Sequence, residues 1–339
     1  MDYFKRIFNY SKILFLLTGF YILSIPVNAQ ETQFTLFHYS PLTLNPANTG
    51  SFNGDLRIAG NFRNQWAGTS TPFRTAAVSM DTKLFLLHQK FGIGVHFLND
   101  ESGVGGLTYN KLYASLSYEK ELNDNYFSLG LQAGYVFGSF NSWTVWDNTT
   151  GNFSAPSGEE NFREKMSYFD LNAGLSWKRS INIFEPEIGV SFFHLNAPNK
   201  SFFEGNEKEE LKYILNASTK VKFNDEFYLH PAFLYLGKKG ATLTIIGTNL
   251  GYNFLGNRTS VRQVFGGIYI RNGLVNELES LSILLGTTVS RLDIAISYDL
   301  NLSGLSKAAG NNMGAFEISL IYKSISTLLN SYSIPCERY

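Results

Sequence analysis

A chain of 339 residues with 28 basic and 28 acidic side chains has no net charge to attract nucleic acid. Charged residues are 17% of it and aromatics 15%, against roughly 25% charged residues in ordinary globular domains. Cys336 is the single cysteine, which excludes an intrachain disulfide.

The first element in chain order is a leader. Lys5, Arg6 and Lys12 precede an apolar stretch from Ile13 to Leu23, and Val27-Asn28-Ala29 supplies small residues before a cut at about Gln30. This order predicts a secretory signal peptide over 1–29. No cysteine follows the apolar stretch, so a lipoprotein is not expected. Removal of 1–29 takes away three basic residues and Asp2, leaving 25 basic and 27 acidic side chains and a formal charge of −2. Beyond it, no run of about 18 apolar residues exists to form a spanning helix. An exported, aromatic-rich, charge-poor chain of this kind is either a soluble all-β protein or a membrane barrel.

Period-2 alternation marks the strands, and the make-up of their polar face decides between the two. Within Tyr126 to Phe140, one face carries Phe127, Leu129, Leu131, Ala133, Tyr135 and Phe137, and the other carries Ser128, Gly130, Gln132, Gly134 and Gly138. Phe169, Leu171, Ala173, Leu175 and Trp177 alternate with Asp170, Asn172, Gly174, Ser176 and Lys178 in the same way. Leu292, Ile294, Ile296, Tyr298 and Leu300 alternate with Asp293, Ala295, Ser297, Asp299 and Asn301. Such alternation marks strands. The polar face is rich in Gly, Ser, Asn and Thr and poor in Lys and Glu, which suits a lumen better than a solvated sheet.

The pattern predicts about fourteen strands, near 55–63, 75–83, 91–99, 107–122, 126–140, 166–181, 184–193, 213–223, 227–236, 242–254, 261–270, 280–289, 293–302 and 314–322. Their links alternate in length. Those after even-numbered strands are short, as at Asn123-Asp124-Asn125 and Asn182-Ile183, the longest running from Leu84 to Lys90. Those after odd-numbered strands are mostly long, with 141–165 and 194–212 the largest and 237–241 a short exception. Short periplasmic turns and long outer loops are what an outer-membrane barrel with both termini in the periplasm requires. The fold class expected is all-β, a transmembrane antiparallel β-barrel spanning 55–323. An N-terminal periplasmic or plug segment (30–54) precedes it and a C-terminal periplasmic tail (324–339) follows.

Residues for chemistry are sparse. His38, His88, His96, His194 and His230 form no HExxH-like or Cys-containing ligand set, and neither a GxSxG elbow nor a GxxxxGK loop occurs. Gly92-Ile93-Gly94 lies in a strand with no helix after it. Acidic residues of the two largest loops, Asp147, Glu159, Glu160 and Glu164 and then Glu204, Glu207, Glu209 and Glu210, match no known Ca²⁺ loop and are expected to be solvated. No catalytic, cofactor or metal residues emerge, and the expectation is a chain that is not an enzyme.

Three segments are more specific than a barrel needs. Tyr39 to Gly50 contains Asn45-Pro46-Ala47-Asn48-Thr49-Gly50. The first strand ends in Phe62-Arg63-Asn64-Gln65-Trp66, followed by Ser79-Met80-Asp81. The last strand reads Phe316-Glu317-Ile318-Ser319-Leu320-Ile321-Tyr322-Lys323, and the chain closes on Cys336-Glu337-Arg338-Tyr339. From about Gln33 onward these segments resemble the PorP/SprF family of type IX secretion outer-membrane proteins, with an NPAxxG segment, an RNQW segment and a Cys-Pro-Arg-aromatic tail. Glu337 stands where the family's tail has proline.

Asn45-Pro46 favours an extended residue before the proline, and Gly50 can adopt a backbone conformation closed to other residues. Arg63 offers a fixed fork of donors, and Trp66 a large apolar surface. The N-terminal segment is expected in or below the lumen, as a structural plug or as a docking surface.

The resemblance implies an accessory role in protein export and surface display. The implied partners are cargo or adhesin proteins with C-terminal sorting domains, and periplasmic and outer-membrane components of the secretion or gliding apparatus. Trp143, Trp146, Phe153, Phe202 and Phe203 are candidate partner-binding anchors in the outer loops, with girdle or loop self-packing as the alternative. Cys336, Arg338 and Tyr339 are candidate contacts beneath the barrel. The rival function is a passive or hydrophobic-solute transporter, which needs an open path through the lumen or the wall.

Overall fold

The structure, a computed structural model, describes residues 33–67, 72–86, 89–102, 106–140, 163–203, 205–255, 260–273, 278–302 and 314–326. Fourteen antiparallel strands close into a barrel: β1 (Leu56–Gln65), β2 (Phe73–Leu86), β3 (Gln89–Ser102), β4 (Leu107–Leu122), β5 (Asn125–Phe140), β6 (Lys165–Arg179), β7 (Phe184–Phe193), β8 (Lys212–Lys222), β9 (Phe227–Lys238), β10 (Ala241–Asn253), β11 (Val261–Asn272), β12 (Leu278–Val289), β13 (Leu292–Asn301) and β14 (Ala315–Lys323). Each strand pairs with its sequence neighbours. β1 and β14 seal the ring from Arg57↔Lys323 to Gln65↔Ala315, so no strand edge of the ring is left for lipid to satisfy.

The expected strands and link parity match the barrel, with bounds shifted by up to three residues, and the β2–β3 hairpin changes most. β2 and β3 run on to Leu86 and Gln89, so their link shrinks from 84–90 to 87–88. Cross-strand pairing of Leu84 with Phe91 and Phe85 with Lys90 extends the ladder into what reads in sequence as a turn. The β4–β5 hairpin turns on Asn123 and Asp124, both at positive φ (49° and 61°), the two-residue geometry that matches strand twist and favours Asn and Asp.

Burial is inverted relative to a soluble protein. Along β5, Phe127, Leu129, Leu131, Tyr135 and Phe137 are exposed on the outside, while Ser128 and Gln132 are buried within. Leu175 is 52% exposed and its neighbour Ser176 6%. An outer surface of this composition is stable only against hydrocarbon, which places the barrel in a membrane. Its short-turn end is the periplasmic end by the same rule.

The lumen is less uniformly polar than the alternation predicts. Ile214, Leu234, Leu236, Leu243, Ile245 and Leu284 also point inward and are buried, together with Phe193, Phe265 and Tyr269. On β9 and β10 the inward Ala232, Leu234, Leu236, Leu243 and Ile245 join this core, so this part of the lumen is packed and not a water channel.

Candidate functional site

The lumen is occupied by the chain's own N-terminal segment, 33–54. Of the two positions open to it, in or below the lumen, the described part takes the first. Its local structure is a short helix (Pro41–Leu44) between 3₁₀ turns at Phe37–Tyr39 and Pro46–Asn48. Pro41 and Pro46 each open a turn, where the missing N–H costs nothing. Asn45 is extended (φ −157°, ψ 123°), as a residue before proline must be, and its Oδ1 accepts from Ala47 N at 2.9 Å.

The segment has two faces. Leu36, Phe37 and Leu44 pack into the apolar core formed by β7 to β13, with Phe37 edge-on to Tyr269 at 6.4 Å between ring centroids. The other face meets polar residues of β1 to β7. Here the irregular backbone presents carbonyls, and barrel side chains satisfy them: Asn61 Nδ2 donates to Tyr39 O (3.1 Å), Gln132 Nε2 to Leu42 O (3.3 Å), Ser191 Oγ to Leu44 O (2.8 Å) and Ser117 Oγ to Thr49 O (2.6 Å). A buried carbonyl without a partner costs about 1–3 kcal/mol, so the lumen's Ser, Asn and Gln act as a fitted socket. Asn45 Nδ2 donates in turn to the strand carbonyls of Leu175 (3.0 Å) and Val190 (3.3 Å). Glycine makes this approach possible, since a Cβ on Gly174 would overlap Asn45 Oδ1 and one on Gly130 would overlap the Pro46–Ala47 backbone.

Buried ion pairs fix both ends. At the outer end, Arg63 of β1 donates to Asp299 Oδ2 at 2.8 Å and to Glu317 Oε1. Glu317 accepts from Thr35 N (2.8 Å) and Leu36 N (2.9 Å), while Arg271 Nη2 donates to Gln33 O and to Thr35 Oγ1, both at 2.8 Å. Two arginines and two carboxylates from β1, β11, β13 and β14 thus balance in charge around residues 33–36. Toward the periplasmic end, Arg57 makes a two-pronged pair with Asp81 (Nε to Oδ1 2.9 Å, Nη2 to Oδ2 2.7 Å). Asp81 Oδ2 also accepts from Gly50 N at 2.7 Å, and Arg57 Nη2 donates to Asn48 O at 2.9 Å. Gly50 sits at φ 67° against the Gly92 backbone, a position closed to a residue with a Cβ.

The sequence candidates therefore separate. Asn45, Pro46, Gly50 and Arg63 meet in the plug and its socket. Gln65 Oε1 accepts from Arg63 Nη2 at 3.2 Å and braces it. Asn64 alternates to the outer face of β1. Trp66 ends the strand at φ 59°, its N–H donating to Gly314 O (2.8 Å) and its ring edge-on to Phe73 at 5.0 Å. Phe202 packs on Phe140 with ring centroids 4.7 Å apart, so it serves loop packing, whereas Phe203 is exposed.

Trp143, Trp146, Phe153, Cys336, Arg338, Tyr339 and the leader 1–29 lie outside the described residues. Among the histidines, His194 Nδ1 pairs with Asp170 Oδ2 at 3.0 Å and His96 stacks on Tyr113; His88 is outside the described residues. No group of three or more His, Cys, Asp or Glu is placed to hold a metal among the described residues.

Sequence reading missed Arg57, Arg271 and Asp299 as partners of the segment, and Thr35 within it as a residue they hold. The available signal was a charge on the inward face of a strand rich in small inward residues, as at Glu317 and Asp299.

Among solved structures, the chain is similar to the Ralstonia pickettii toluene transporter TbuX (8% identity, 83% of this chain and 92% of that one, TM-score 0.46). It is also similar to the Pseudomonas putida toluene transporter TodX (7%, 83% and 92%, TM-score 0.49), and to a Pseudomonas aeruginosa FadL homologue (10%, 82% and 92%, TM-score 0.44). No curated protein matches the chain. The family described as type IX secretion system membrane protein PorP/SprF matches residues 27–322, from before the lumenal segment to the end of the last strand. This chain, a closed barrel with a membrane-facing surface whose NPAxxG segment and RNQW arginine are buried together in the lumen, belongs to the PorP/SprF family of type IX secretion system membrane proteins.

Proposed function

We propose that this barrel is a non-enzymatic scaffold of type IX secretion, supporting export or surface anchoring of cargo proteins that carry C-terminal sorting domains. The observation that supports this reading is the filled lumen. A segment bound through buried ion pairs near both ends leaves binding surfaces, and not a central path, as the parts open to partners. The outer loops 141–165 and 194–212 are the surfaces proposed to hold cargo, with the exposed Phe203 as one anchor. Aromatic side chains bury large area at low entropic cost and dominate interface energetics. Secretion or gliding components are the proposed partners at the periplasmic end.

Deleting 141–165 tests the loop assignment. The barrel is expected to reach the outer membrane and stay heat-modifiable on gels, while cargo appears in the medium. Cargo displayed as in the parent strain would overturn the proposal.

A further inference from the structure

Below the plug, the lumen opens at the periplasmic end into a cavity of about 770 Å³, within the range of roughly 300–1,000 Å³ typical of ligand sites. Its charge is one-sided. Lys220 of β8, Arg262 of β11, Arg291 of the β12–β13 turn and Lys323 of β14 line it, against the single carboxylate of Asp293. Lys323 Nζ neutralises that carboxylate at 2.8 Å. Lys220 Nζ lies over the Tyr228 ring, 4.0 Å from its centroid. Arg262 and Arg291 have no carboxylate partner among the described residues.

Apolar surface in the wall comes from Tyr39, Tyr228, Phe265, Ile321 and Ile325, beside neutral polar residues such as Asn249 and Gln263. His38 of the plug also lines it, 5.0 Å from the His230 ring, and its buried Nε2 has no hydrogen-bond partner among the described residues.

We propose that this vestibule binds an acidic peptide segment of a periplasmic protein, with carboxylates on the cations and an apolar or aromatic side chain against the wall. A concave site of one sign attracts ligands of the other and sets their register. The cations come from β8, β11, the β12–β13 turn and β14, so each reaches the cavity from a different element. That distribution, with aromatic wall in the same cavity, fits several carboxylates along a peptide better than one compact anion. The site lies at the opposite end of the barrel from the proposed cargo loops; it rests on the reading of a periplasmic partner and is tested apart from those loops.

Calorimetric titration of the full-length barrel in neutral detergent tests this, with the peptide acetyl-Glu-Phe-Glu-Gly-Glu-amide as probe. Its glutamine counterpart, acetyl-Gln-Phe-Gln-Gly-Gln-amide, and inorganic phosphate serve as comparisons. The acidic peptide is expected to bind, to weaken at least tenfold as salt rises from about 50 to 500 mM, and to weaken at least tenfold in R262Q/R291Q. These two side chains are exposed and carry no ion pair among the described residues, so the variant is expected to keep its heat-modifiable fold. K220Q supplies a second variant at a different point of the wall. Equal binding of the glutamine peptide, full affinity in both variants, or phosphate binding as tightly as the peptide would overturn the proposal.

Discussion

Arg63 shows how one side chain serves both the barrel and its contents. Its Nη1 reaches both Asp299 and Glu317 while Nε and Nη2 hold Gln65, and the two carboxylates hold the backbone and hydroxyl of Thr35. Breaking a buried pair from one side leaves charge unpaired at a cost of about 3–5 kcal/mol. R63M is therefore expected to lower the urea midpoint of the detergent-folded barrel by an amount corresponding to that loss. R63K keeps the charge but not the fork, and falls between the two. A midpoint unchanged in R63M would show that Arg271 alone balances the carboxylates. The arginine was legible in sequence as part of a motif. Its partners were not, because residues 63, 299 and 317 come together only through closure of the ring and the register of β13 on β14.

At the scale of elements, β6 and β7 are a place where the wall departs from regular pairing. β6 pairs with β7 from Ala173↔Phe192 to Lys178↔Glu187, although β6 itself continues to Lys165 along β5. The chain leaves β7 at His194 (φ 63°), and the following loop supplies what the missing strand would. Leu195 N donates to Leu171 O at 2.9 Å. The Asn196 side chain accepts from Leu171 N (3.1 Å) and donates to Phe169 O (2.7 Å). Asn196 thus imitates a strand residue at an edge that lipid cannot satisfy. N196A is expected to destabilise the barrel by about 1 kcal/mol and to speed amide exchange at Leu171. Unaltered exchange there would mean that Leu195 alone maintains the edge. The sequence shows Asn196 only as a loop residue, since its role depends on β7 ending before β6 does.

For the whole molecule, the decisive contrast is between an apolar exterior and a lumen filled from within. A passive transporter needs a path, and here segment 33–54 spans the lumen from the Arg63 cluster to the Arg57–Asp81 pair. The intact chain is expected to show no steady conductance in planar bilayers. Stable open-channel steps would favour the transporter reading over the scaffold.

Alternation of apolar and small polar residues by itself determined the strands, their number and the two ends of the barrel. A strand's side-chain period of two records which face meets hydrocarbon, and link lengths record which end is which. What the lumen's polar residues are for was decided only by tertiary structure. Ser117, Gln132 and Ser191 read as lining until the segment's carbonyls are placed beside them, and Leu234 and Ile245 read as ordinary strand residues until Phe37 and Leu44 pack there. Such contacts join residues far apart in the chain through ring closure and register, and local periodicity carries no information about either.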